Sequence, residues 1–125
     1  MTATGHAIIG TVIAAKVANP SLAIPLAIAS HFIADAIPHW DIATHRKQKT
    51  RETLILEAFS DVMLGFVLSF LILTFFFPAT SPSYAFLMIL VSQSPDWATA
   101  PYYFFGIKSF KWAYKLQKIF DKDLD

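Results

Sequence analysis

The sequence predicts an all-α membrane protein: four transmembrane helices in an antiparallel bundle, followed by a C-terminal amphipathic helix at the membrane interface. Three observations predict it. Hydrophobic residues make up 55% of the 125 residues and charged residues only 15%, with a mean hydropathy of +0.50. The charges are clustered, which leaves long uncharged spans of the kind lipid requires. Nine of the ten Lys and Arg lie in a central loop and the C-terminal tail. The length suits one domain, residues 1–125, and no repeat or linker divides it. A net charge of +1 gives no electrostatic footing for nucleic acid, and the absence of cysteine excludes disulfides, thiolate zinc ligands and cysteine nucleophiles.

The first apolar run, 5–18, is interrupted only by Lys16 and ends at the turn signal Asn19-Pro20. It is short for a ~30 Å hydrocarbon core, and Lys16 can snorkel to the far interface. The second run, 21–37, holds Pro25 in its first turns, where proline costs little, and Pro38 marks its end. A hydrophilic connection follows, carrying Arg46, Lys47, Lys49 and Arg51. Run three, 53–77, is the longest, with Glu57 and Asp61 in its first turns. After the uncharged turn Pro78–Pro82, run four, 84–99, carries only Asp96 before Pro101 breaks it. In the tail, 104–122, lysines 108, 111, 115, 118 and 122 recur at spacings of three and four, with Phe110, Leu116, Ile119 and Phe120 largely on another face. The N-terminal stretch MTATGHAIIG lacks the basic region of a signal peptide and reads as mature sequence.

His31, Asp35 and His39 stand four residues apart at the end of run two, with Asp41 just beyond. On a helix such residues share a face, and imidazole and carboxylate are donors that Zn²⁺ and Mn²⁺ take. The positive-inside rule puts the N-terminus, the central loop and the tail in the cytoplasm, as expected of a multi-pass protein of the inner membrane. An up-down-up-down bundle then places His6, His31, Asp35, His39, Glu57, Asp61 and Asp96 at one membrane level. Charged side chains at a helix centre cost ~2.5–3.5 kcal/mol each on insertion scales, and the clustered carboxylates also repel one another. One or two divalent cations remove the conflict. These seven residues are the expected metal ligands. Asp41, beyond the proline, is open between cap, ligand and general base at the mouth, the last being the catalytic role assigned to it.

His6-x-x-x-Gly10, then His31-x-x-x-Asp35-x-x-Pro38-His39-x-Asp41, with Glu57, Asp61 and Ser94-Pro95-Asp96, resembles the small membrane-bound metal-dependent hydrolases. More distantly the chain is similar to the zinc-dependent phospholipase C proteins, although it is far shorter and has few histidines. The resemblance implies a divalent-metal hydrolase with His6, His31, Asp35 and His39 as principal ligands. The residues themselves support water activation against a phosphoester or related bond of a lipid-like substrate at the cytoplasmic headgroup level. Two other readings stand beside it: a metal-ion or proton transporter, and a membrane protein whose metal is purely structural. A homo-oligomer is open in each case.

Overall fold

A computed structural model describes residues 1–122 of the chain. Among them are five α-helices and no strand: α1 (Ala3–Lys16), α2 (Pro20–Asp35), α3 (Arg51–Phe76), α4 (Pro82–Phe105) and α5 (Lys111–Phe120), with short 3₁₀ turns at Arg46–Gln48 and Lys108–Phe110. Side-chain oxygens start the first four. Thr2 accepts from Gly5 N–H, Asn19 from Ser21 N–H, Thr50 from Thr53 N–H and Ser81 from Tyr84 N–H, each relieving a donor that the helix cannot satisfy itself.

Helix α1 is central, packing against α2, α3 and α4. Its N-terminus lies beside Asp61 of α3, its His6 beside Asp35 at the end of α2, and its last turns beside the start of α4, where Tyr84 Oη donates to Val17 O at 2.6 Å. The first four helices therefore alternate in direction, as the turn signals predict. The interior is built from small residues. Ala7, Ala14, Ala23, Ala27, Ala34 and Ala85 are buried, joined by Ile13, Leu73, Met88 and Ile89. Gly10 belongs to the same economy: a Cβ there would lie 2.6 Å from Ser92 Oγ and 2.7 Å from Met88 O, so α1 and α4 approach as closely as they do only because it has none.

Many large apolar side chains face outward. On α3 alone Leu56, Phe59, Leu64, Val67, Phe75 and Phe76 are exposed. That helix, at 26 residues, is long and apolar enough to cross a membrane. Helices α1 and α2, with 14 and 16 residues, are shorter than the ~20 that a full span takes. Helix α4 has 24 residues, with Gln93 at its middle and Asp96 in its second half.

Two boundaries differ from expectation by more than two residues. Helix α4 does not break at Pro101 but runs through Pro95 and Pro101 to Phe105. A proline inside a helix removes one N–H and loosens the turn before it; Ser94 Oγ takes the Val91 carbonyl that Pro95 leaves without its usual donor, at 2.7 Å. The amphipathic helix therefore starts later, at Lys111 instead of 104, and it packs against α4 and α2. Phe120 meets the Phe32 ring at 5.1 Å, Ala113 is buried, and Lys122 N–H donates to Asp35 O at 2.8 Å while His39 N–H donates to Lys122 O at 3.3 Å. The tail is stitched to the end of α2.

Candidate metal centre

The end of α2 delivers His31 and Asp35 to the bundle interior, 0% and 1% exposed. Both are on the buried stripe that also carries Ala23, Ala27 and Ala34, because residues four apart recur on one face. His6, 1% exposed, arrives from the first turns of α1 and stacks on His31 with ring centroids 3.8 Å apart. Asp35 lies between the two imidazoles: Oδ1 is 3.1 Å from His6 Nε2 and Oδ2 is 3.1 Å from His31 Nε2. Asp96 of α4 closes the group, with Oδ1 3.6 Å from His31 Nε2 and Oδ2 4.0 Å from His6 Nε2.

The tautomer of His31 is decided by its surroundings. Nδ1 lies 2.8 Å from the Ser92 carbonyl, which can only accept, so Nδ1 carries the hydrogen. On a neutral ring Nε2 then turns a lone pair toward Asp35 and Asp96, and it is buried without a hydrogen-bond partner. His6 Nδ1 is likewise buried and unpartnered. An imidazole that donates Nδ1–H to a backbone carbonyl and aims Nε2 at carboxylates has the arrangement of metal-ligating histidines. Behind it, Ser92 Oγ lies 2.8 Å from His6 O and 2.9 Å from Ile89 O and shares its one hydrogen between these two carbonyls.

A second group adjoins the first. His39 Nδ1 donates to Ile37 O at 2.7 Å, which leaves Nε2 facing Asp41 Oδ2 at 3.4 Å and Asp121 Oδ1 at 3.3 Å. The Met1 ammonium donates to Asp35 Oδ1 and lies against His39 Nε2. Asp41 Oδ1 accepts from Ala43 N–H at 2.7 Å, and Thr44 Oγ1 accepts from Asp41 N–H at 3.0 Å, so a local turn fixes this residue. Burial pushes the Asp41 carboxyl above the ordinary carboxylate range, against the opposing pull of the Ala43 N–H.

Two sets of side chains thus lie close enough to hold a metal ion, His6 with His31 and Asp96, and Asp35 with His39 and Asp121, the donor atoms of each set within 4.8 Å of one another. Donors bound to zinc at ~2.0–2.1 Å stand roughly 3.4 Å apart in a tetrahedron, close to the 3.1–3.6 Å separations that His31 makes with Asp35 and Asp96. Of the seven expected ligands, five are brought together: His6, His31, Asp35, His39 and Asp96. The other two are engaged elsewhere. Asp61 binds the N-terminus of α1, accepting from Ala3 N–H at 2.6 Å, Thr4 N–H at 3.1 Å and Thr4 Oγ1 at 2.7 Å. Glu57 pairs with Lys49 at 2.7 Å, its side chain 39% exposed.

Two residues of this centre lie outside the expected set, Asp121 and Gln117, whose Nε2 donates to Asp96 Oδ1 at 2.6 Å. The cue was available. Ala113, Gln117 and Asp121 are four apart on a helix otherwise rich in lysine, and so form a small or non-basic stripe that faces the protein. A cavity of about 140 Å³ opens beside the two groups, lined by Asp41, Asp96 and Asp121 and by apolar or aromatic residues including Val62, Trp97 and Phe104.

No protein-family model, curated protein or solved structure matches the chain.

Proposed function

We propose that this protein is a membrane-embedded, divalent-metal-dependent hydrolase acting on a phosphoester or related bond of a lipid-like substrate. The observation that carries the reading is the His31 imidazole, anchored through Nδ1 and aimed through an unpartnered Nε2 at two carboxylates. His6, His31, Asp35 and Asp96 would hold a zinc or manganese ion, with His39 beside them for a second. When bound, such an ion supplies Lewis acidity, lowering the pKa of water and neutralising charge that develops on a phosphoryl oxygen.

The chain's own residues do the rest. Ser92 O fixes the tautomer of His31, and Gln117 holds Asp96 at the rim of the cavity. Asp41, on the cavity wall, is placed to accept the proton of the attacking water. The wall of Val62, Trp97 and Phe104 excludes bulk water and suits the apolar part of an amphiphile. Lys49 bonds the carbonyl of Ile42, a residue of the cavity wall, and Glu57.

Membrane residence is supported by the outward-facing apolar side chains and by the alanine-rich helix contacts. In this reading the four-helix bundle is multi-pass, α1 and α2 crossing a locally thinned bilayer, with the basic loop, the tail and the centre on the cytoplasmic side. The buried polar residues toward the other end are Thr11 and Ser69, and Thr11 Oγ1 is spent on Ala7 O. A one-sided pocket favours hydrolysis over transport.

The test is hydrolysis by the purified, metal-loaded protein in vesicles containing phosphatidic acid or phosphatidylglycerol, followed by release of phosphate or headgroup. Metal-dependent release, abolished by chelation and reduced at least about 100-fold in Asp41→Asn, supports the proposal. No release from any phosphoester substrate under conditions where the metal is bound contradicts it.

A further inference from the structure

We infer that Asp121, at the end of the amphipathic helix, is a ligand for a second divalent cation held with Asp35 and His39, so that the tail completes the metal centre from outside the bundle. The inference rests on reading the polar interior as a metal centre, and adds a residue and a site to it.

The geometry is that of a donor set. Asp121 Oδ1 lies 3.3 Å from His39 Nε2, and its side chain is 8% exposed. That oxygen is buried with no hydrogen-bond partner. Its companion Oδ2 is held by Lys118 Nζ at 3.0 Å, which fixes the carboxylate and leaves Oδ1 aimed inward. His39 is anchored as His31 is, through Nδ1–H to a backbone carbonyl, so its Nε2 lone pair is directed at the same point. A neutral imidazole lone pair facing an unpartnered carboxylate oxygen calls for a positive charge, which the Met1 ammonium against His39 Nε2 supplies in part.

Charge leads to the same place. Asp35, Asp41, Asp96 and Asp121 gather four carboxylates around three imidazoles, while the cations touching them among the described residues are the Met1 and Lys118 ammonium groups. The Met1 ammonium lies against the same Asp35 and His39 atoms that the second site would use, so a cationic group already sits at these donors. A divalent ion supplies the larger charge and would displace the ammonium.

Asp121 reaches this point through backbone as well as side chain. The Lys122 amide and carbonyl bond Asp35 O and His39 N–H, and Gln117, one turn earlier, bonds Asp96. Helix α5 and the residues just after it thereby bond the Asp96 carboxylate of one group and the backbone of Asp35 and His39 in the other. On its other side Lys111, Lys115, Trp112 and Ile119 are exposed. The helix that presents lysine and tryptophan to its surroundings is the same helix that carries the ligand.

Metal content and a ligand exchange test the assignment on the purified full chain. Titrated with Zn²⁺, the parent is expected to bind two equivalents and Asp121→Asn one, with unchanged helical content. Asp121→Cys is the second variant: the parent has no cysteine, so a near-ultraviolet thiolate-to-cadmium band on adding one equivalent of Cd²⁺, lost when His39→Ala is added, would place residue 121 on the ion. If Asp121→Asn binds as many equivalents as the parent, or folded Asp121→Cys shows no cadmium band, the inference is overturned and the His6, His31 and Asp96 site stands. If the parent binds no metal, the metal-centre reading falls with it.

Discussion

His31 and Asp35 face each other across one helical turn, Nε2 to Oδ2 at 3.1 Å, while His31 Nδ1 is committed as a donor to the Ser92 carbonyl. With a neutral ring this is a lone pair against a carboxylate in a fully buried place. A proton or a metal ion resolves it, and the further approach of Asp96 and His6 makes the pair part of a group that could hold an ion. Replacing the ring while leaving Asp35 in place separates the two resolutions. His31→Ala is expected to lower metal affinity more than about 100-fold, beyond the range seen on losing an outer-shell partner, as measured by competition with a chromophoric chelator. A buried His–Asp ion pair with no metal would leave that affinity unchanged.

Proton competition follows from the same ligand chemistry. Imidazole and carboxylate must be deprotonated to bind a cation, so acidification releases it and raising the pH restores it. Dialysis against chelator-free buffers of decreasing pH, with metal measured in the retentate, is expected to show loss on the acid side, and regain on neutralisation if the helical content is kept.

Gly10 tests the packing that positions His6. A methyl at residue 10 would meet Ser92 Oγ at 2.6 Å and the Met88 carbonyl at 2.7 Å, and one of these is backbone. Gly10→Ala is expected to destabilise the bundle by about 1–3 kcal/mol, as overpacking does, and to weaken metal binding by moving Ser92, which bonds the His6 carbonyl. Thermal unfolding followed by circular dichroism, beside a metal titration, measures both effects.

Asp61 separates stability from chemistry. Its carboxylate receives two backbone N–H groups and the Thr4 hydroxyl at the start of α1, bonds that are charge-assisted. Asp61→Ala is expected to cost about 1.5–3 kcal/mol, the range for hydrogen bonds to a charged group. A lowered unfolding midpoint with full metal content is the predicted result.

These contrasts show what the sequence carried. The spacing of His31 and Asp35 named their shared face, and the alternation of helix directions brought His6 and Asp96 to the same level. Level is not azimuth, however. Glu57 and Asp61 stand at about the right height on α3, but the helix turns Asp61 to the α1 N-terminus and Glu57 to Lys49. Topology alone cannot supply that rotation, because α3 exposes apolar residues on most of its circumference and has no strong buried stripe to orient it. Asp121 was hidden for a different reason. A lysine-rich amphipathic tail reads as a surface element; its Ala113, Gln117 and Asp121 stripe is visible in the sequence, but what that face docks against is set by the fold. Pro101 signalled an end to α4, but the helix continues through it to Phe105.

The most direct measurement is elemental analysis of the purified protein beside Asp35→Ala and Glu57→Ala. Asp35 touches both His6 and His31, whereas Glu57 is paired with Lys49. The account predicts stoichiometric zinc or manganese in the parent and in Glu57→Ala, and loss of metal in folded Asp35→Ala. A parent that holds no divalent metal after metal-replete purification, or an Asp35→Ala variant that keeps all of it, would contradict the account.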